Sequence, residues 1–173
     1  MGNPNAATAL LYAAIAVFVL WRVIFKQLTG VMLSMRNLWL IPGILLVIGG
    51  FSTFSALPNA SGTEIGLLGA DLAVLAALGV LRGSSTSLST RDGFAFQKGN
   101  PLTVILWLVT IGVRIGFAVL GLHIGAAGTL TSASIWLTLG LSIGIQNAVL
   151  YARARKRGLR IAANWAESAR AGR

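Results

Sequence analysis

Apolar residues in this chain neither alternate nor recur at a surface-helix spacing. They run on in five long stretches, separated by short polar or basic connections. A helix rises about 1.5 Å per residue and bilayer hydrocarbon is about 30 Å thick, so about 20 apolar residues can cross it. The stretches 6–25, 38–57, 64–81, 102–122 and 132–151 therefore predict five transmembrane helices.

The residues between the stretches agree with that division. Pro58-Asn59 followed by Ser61-Gly62 predicts a tight turn between the second and third spans. Asn100-Pro101 opens the fourth, where proline's absent N–H is tolerated. Pro42 falls in the first turns of the second span, and Gly125, Gly128, Thr129 and Thr131 mark the loop before the fifth. Only the third connection is sizeable. Ser87–Thr90 and Phe94–Lys98 flank Arg91-Asp92-Gly93, which predicts a small β-hairpin around an Asp-Gly turn. Beyond Tyr151, Leu159, Ala162, Ala163 and Ala166 would share one helical face, with Ile161 and Trp165 beside it. That pattern predicts a basic amphipathic helix on the membrane surface. Its residues Arg153, Arg155, Lys156, Arg157 and Arg160 are candidates to bind anionic lipid headgroups. The alternative is a solvated positive tail. The expected organisation is a transmembrane domain over 1–151 and a basic cytoplasmic tail over 152–173.

Charge sets the orientation. The first connection holds Lys26 and Arg36, and the third holds Arg82, Arg91 and Lys98. The second and fourth hold no Lys or Arg, and the tail is rich in them. Positive residues mark cytoplasmic connections, so the N-terminus is expected outside and the C-terminus inside. Met1 to Thr8 lacks Lys and Arg, whereas Arg22 and Lys26 follow the first apolar run. A secretory signal has the opposite order, so this reads as an uncleaved first helix.

Composition narrows the class. Of 173 residues, 55% are hydrophobic and 10% charged, too few charges to cover a water-facing surface. The net charge of +10 comes from residues at span ends and in the tail, which argues against nucleic acid as a partner. The chain has no cysteine, which excludes disulfides, thiolate metal sites, iron–sulfur clusters and thiol exchange. His123 is the only histidine, which excludes a multi-His metal or di-haem site within one subunit. No metal or cofactor is expected.

Ionisable residues within spans carry the strongest functional signal, because a charge at a helix centre costs about 2.5–3.5 kcal/mol on insertion scales. Asp71 and Arg114 each lie roughly 10–14 Å below the outer ends of consecutive antiparallel spans. Equal depth makes an ion pair geometrically easy. Such a pair is a static clamp, a proton- or ion-linked switch, or an anchor for a polar headgroup. Gln146 and Asn147 lie in the inner part of the fifth span, where amides bond between helices. Glu64 and His123 lie near the outer boundary and are placed to meet there. Gly-x-x-x-Gly spacings occur at Gly62/Gly66, Gly79/Gly83, Gly112/Gly116, Gly121/Gly125 and Gly140/Gly144. Gly112/Gly116 and Gly140/Gly144 are the better packing candidates, within the subunit or in a homodimer.

No nucleophile elbow, P-loop, zincin helix or paired-carboxylate signature occurs. Other residues carry a resemblance. Arg36-Asn37-Leu38-Trp39-Leu40-Ile41-Pro42 opens the second span, Asp71 sits in the third, and Leu81-Arg82-Gly83 precedes the Asp92-Gly93 loop. Val113-Arg114 follows in the next span. Over roughly 22–122 this order resembles the CcdC-like small membrane proteins of bacilli and actinobacteria. The resemblance implies a polytopic protein of a bacterial cytoplasmic membrane and carries over no active-site residue.

Three functional classes remain open. One is a non-enzymatic accessory or scaffold protein acting through helix packing with a partner subunit or a second copy of itself. Another is a small oligomeric transporter or ion-coupled carrier using Asp71 and Arg114. The last is an intramembrane enzyme acting on a lipid or hydrophobic metabolite, with Asp71 as acid or base.

Overall fold

The apolar stretches fold as helices because lipid offers the backbone no partner, and a helix satisfies its own N–H and C=O groups. The structure is a computed structural model that describes residues 30–91, 93–126 and 129–163. The span expected at 6–25 lies outside the described residues. The helices are α1 (Met35–Ala56), α2 (Gly62–Ser85), α3 (Pro101–His123), the single turn α4 (Thr129–Ala133) and α5 (Ile135–Lys156). Strands β1 (Val31–Met32), β2 (Ser87–Arg91) and β3 (Phe94–Lys98) form an antiparallel sheet in the order β1-β3-β2.

Four helical stretches, Met35–Asn59, Gly62–Ser85, Pro101–His123 and Leu130–Lys156, are long and apolar enough to cross a membrane. Their side chains are distributed inside out. Val47, Phe51 and Phe54 are 73%, 77% and 74% exposed, while Thr53, Thr103, Thr110, Thr138 and Ser142 are buried. Small residues inside and large apolar ones outside suit a hydrocarbon solvent, in which close packing rather than hydrophobic burial holds helices together.

Caps fix where the helices begin. Ser61 and Glu64 form a reciprocal capping box at α2, and Asn100 with Thr103 forms another at α3 beside Pro101. Helix α5 packs along both α1 and α2, while α3 packs mainly on α2. The close approaches are at glycines. A Cβ on Gly49 would lie 2.0 Å from Leu137 N, and one on Gly79 would lie 2.7 Å from Ser142 O. Gly83 and Gly140 are similarly crowded, against Gln146 O and Leu46 N. Gly112 and Gly116 meet nothing within 4 Å among the described residues.

Pro42 is an internal defect with a local remedy. Without an N–H it cannot bond the carbonyl of Leu38, four residues back. Asn147 of α5 donates to that carbonyl at 2.8 Å. One amide both repairs α1 and ties it to α5.

Three expectations are corrected. The hairpin forms, but Val31 and Met32 add a third strand by pairing with Gln97 and Phe96. Helix α2 extends to Ser85, so Arg82 is helical and fully buried rather than part of a connection. The amphipathic helix expected beyond Tyr151 does not form over 157–163. Helix α5 ends in a Schellman motif: Gly158 has φ +66°, its N–H bonds Arg155 O, and Leu159 N–H bonds Ala154 O. The chain then runs extended. Ala95 N donates to Arg160 O, and Ala162 N to Leu33 O. Leu33, Leu38, Leu88, Ala95, Leu150 and Ala154 form the apolar cluster at this sheet end, with Leu159 and Ile161 packed against it. Residues 164–173 lie outside the described part.

Candidate functional site

Helical spacing assembles the polar interior from three facing stripes. On α2, Asp71, Leu75, Leu78 and Arg82 are three or four residues apart, so one inward face carries them. Thr103, Trp107, Thr110 and Arg114 repeat that spacing on α3, and Ser134, Thr138 and Ser142 repeat it along α5 from its N-cap. The stripes converge because α2 packs on both α3 and α5.

Asp71 and Arg114 pair directly, Nη1 donating to Oδ2. Asp71 is 2% exposed. Arg114 Nη2 also donates to Thr131 O at 2.8 Å and Ser134 Oγ at 3.3 Å. The guanidinium thus joins α2 and α3 to the junction of α4 and α5. Asp71 Oδ1 and Glu64 Oε1 are buried without partners among the described residues. Both residues line a crevice of about 10 Å³ with Arg114, Phe117, Thr131 and Ser134, room for about one water.

Towards the sheet end lies a larger, partly enclosed cavity of about 140 Å³. Its polar wall is Arg82, Trp107, Thr110, Arg114, Thr138 and Ser142, and its apolar wall includes Leu75, Ile111, Leu139 and Ile143. It exists because α3 leans on α2 and scarcely meets α5. Arg82 stacks on the Trp107 ring, with Cζ 4.1 Å from the centroid, and its Nη2 donates to Ser142 Oγ at 2.5 Å.

Glu64 and His123 are not brought together. Glu64 Oε2 accepts from Ser61 N at 2.9 Å, and His123 Nδ1 lies 2.9 Å from the Val119 carbonyl of its own helix. Asn147 serves the Pro42 defect, while Gln146 Oε1 is buried without a partner. In the basic cluster, Arg153 donates to Gly83 O and Thr86 O, and Arg157 to Leu88 O. Arg155 stacks near Tyr151 and Arg160 near Phe94, and Lys156 is exposed. No group of three or more His, Asp or Glu side chains able to hold a metal occurs among the described residues.

Sequence alone does not single out Arg82, Trp107 or Ser142. A signal was nonetheless present. Arg82 follows Asp71 by eleven positions, close to three full turns, so a helix carrying both to its end must face them the same way. Comparison of the chain with protein-family models, curated proteins and solved structures finds no match.

Proposed function

We propose that this chain is a non-enzymatic, multi-pass integral membrane protein that acts as an accessory or scaffold subunit through helix packing with a partner. The observation that carries the reading is the use of Arg114. Both terminal nitrogens of this one buried-facing cation hold neighbouring helical segments in place, through Asp71, Thr131 and Ser134. A charge spent on fixing helices against each other supports a rigid platform. The outer face of α3, uncovered among the described residues, complements it. Gly112 and Gly116 are exposed and would accept a close backbone from outside.

The same reading places the chain in a bacterial cytoplasmic membrane, with five spans and the C-terminus inside. Arg36, Arg91, Lys98, Arg153, Arg155, Lys156, Arg157 and Arg160 all belong to the sheet end, where anionic lipid is the natural neighbour. A CcdC-like kinship is proposed on the same terms.

A second reading, an ion-coupled carrier, is favoured by the unpartnered oxygens of Asp71 and Glu64 in one crevice. The two separate by experiment. Asp71→Asn, Arg114→Gln and the double variant are melted in detergent and assayed for proton or cation flux in liposomes. A platform predicts no flux in any form. It also predicts single losses of about 3–5 kcal/mol that the double variant largely restores. Gly116→Leu should keep the melting point yet abolish cross-linking to the partner captured from native membranes. Flux that requires Asp71 would overturn the platform in favour of the carrier. A cross-linking pattern indifferent to Gly116→Leu would remove the α3 face from it.

A further inference from the structure

Arg82 lies outside the lock formed by Arg114 and has no comparable partner. It is 0% exposed. The chain has four acidic residues in all. Glu64 is held by Ser61 and Asp71 by Arg114, and no carboxylate reaches Arg82 among the described residues. A guanidinium shut away from water with no counter-charge is a costly arrangement. Stacking on Trp107 offsets part of that cost. However, a ring meets only the face of the guanidinium, while its N–H groups point outward in its plane. Two of its three nitrogens, Nε and Nη1, have no hydrogen-bond partner among the described residues, and neither does the buried Trp107 Nε1.

All three unpartnered groups on this cavity wall are donors. The hydroxyls beside them have already committed their protons: Ser142 Oγ to Leu75 O, Thr110 Oγ1 to Leu106 O and Thr138 Oγ1 to Ile135 O. What would complete the cavity is therefore an acceptor that carries negative charge. We propose that the cavity between α2, α3 and α5 binds an oxoanion, a carboxylate or phosphate, borne on an apolar chain. Arg82 and the Trp107 N–H take the head, and Leu75, Ile111, Leu139 and Ile143 take the start of the chain. The volume of about 140 Å³ is close to that of an engineered cavity that holds one benzene. It accommodates a head and a few methylenes, and the rest of the chain leaves where α3 and α5 scarcely meet. Its Arg82 end lies near the sheet end of α2, three residues from Ser85, which sets the head nearer the membrane surface than the midplane. It goes beyond the platform reading and stands whether or not that reading holds.

The test is thermal unfolding of the full chain in a non-ionic detergent, titrated separately with dodecanoate, dodecyl phosphate, dodecanol and inorganic phosphate. Wild type is compared with Arg82→Met, Trp107→Phe and the exposed control Arg36→Met. At least one alkyl anion should raise the wild-type midpoint in a saturable way, and dodecanol should not. Arg82→Met should weaken that response about tenfold or more, since it removes charge-assisted bonds. Its ligand-free midpoint should equal or exceed wild type, because the unpaired charge is gone. Trp107→Phe, which keeps the ring face and loses one donor, should weaken the response by a smaller factor. An equal response to inorganic phosphate would support the oxoanion site and assign it to a free anion rather than a lipid. No anion response, or equal responses in wild type and Arg82→Met, would overturn the proposal. So would an Arg82→Met protein that is less stable yet still responds fully, since Arg82 would then be purely structural. Should Arg82→Met not fold, Trp107→Phe decides alone, with an unchanged response counting against the site.

Discussion

At the scale of single residues, the interior of this bundle is organised by repairs and debts in hydrogen bonding. The Leu38 carbonyl is orphaned by Pro42 and taken up by Asn147. The pair makes a prediction with a built-in control. Asn147→Leu should lower stability in detergent by about 1 kcal/mol, the net value of one such bond. Pro42→Ala returns the N–H that Leu38 needs, so the same Asn147→Leu change should cost much less in that background. Melting curves of the two singles and the double measure the coupling, and additive losses would show that Asn147 stabilises by other means. Asp71 and Arg114 were legible in the sequence because an ionisable residue far from either span end stands out. Arg82 was not. A buried arginine three residues from a helix end and a snorkelling one look alike until the helix is known to run on to Ser85, which turns Arg82 to the side of Asp71, where Trp107 and Ser142 meet it.

At the scale of elements, the four described spans were legible to within about five residues because hydrocarbon imposes a length, and capping residues such as Ser61 and Asn100 punctuate it. Their partners were less so. Glycine spacing states where a backbone could be approached, not whether a neighbour is present. Gly140 does pack against α1, yet Gly79 and Gly83 seat α5 on α2, while Gly112 and Gly116 meet no neighbour among the described residues. Opposite mutational responses follow from that contrast. Gly83→Val would force atoms against Gln146 O and the Val149 side chain, at 2.8 and 2.7 Å from its Cβ. It should cost about 1–3 kcal/mol through overpacking. Gly112→Ala meets nothing among the described residues and should be neutral or stabilise by up to about 1 kcal/mol through helix propensity. Unfolding in detergent reads both, and a Gly112→Ala loss as large as that of Gly83→Val would mean α3 is packed on its outer face too. The tail shows the limit from the other side. Its apolar spacing fitted a helix, but Gly158 stops α5 and sends Leu159–Ala162 into the sheet-end cluster, where Ala162 is fully buried. A helical face and an extended packing segment share those letters, and the left-handed stop decides between them.

At the scale of the whole molecule, two solvents meet along one axis. The bundle turns its large apolar side chains outward, while the sheet end gathers a conventional apolar cluster beneath β2, β3 and the 159–162 segment. Lys and Arg divide along the same axis. The turn from Leu57 to Ser61 and the segment from Leu120 to Ala126, both at the far end, contain neither, whereas the sheet end is strongly basic. Positive residues are retained on the cytoplasmic side during insertion, so this polarity should dictate which end faces the cell interior. Because the chain has no cysteine, single cysteines can report this without background. Asn59 lies in the far-end turn and Ser89 on β2, and both are exposed. In intact cells a membrane-impermeant maleimide should label Asn59→Cys and leave Ser89→Cys untouched until the membrane is opened. The reverse pattern would invert the molecule and carry the Arg82 cavity to the outer leaflet. Labelling of both in sealed cells would mean that α2, the helix between them, fails to cross. With the expected pattern, the cavity faces the inner leaflet, where anionic headgroups are concentrated and a buried cation has the most partners to draw on.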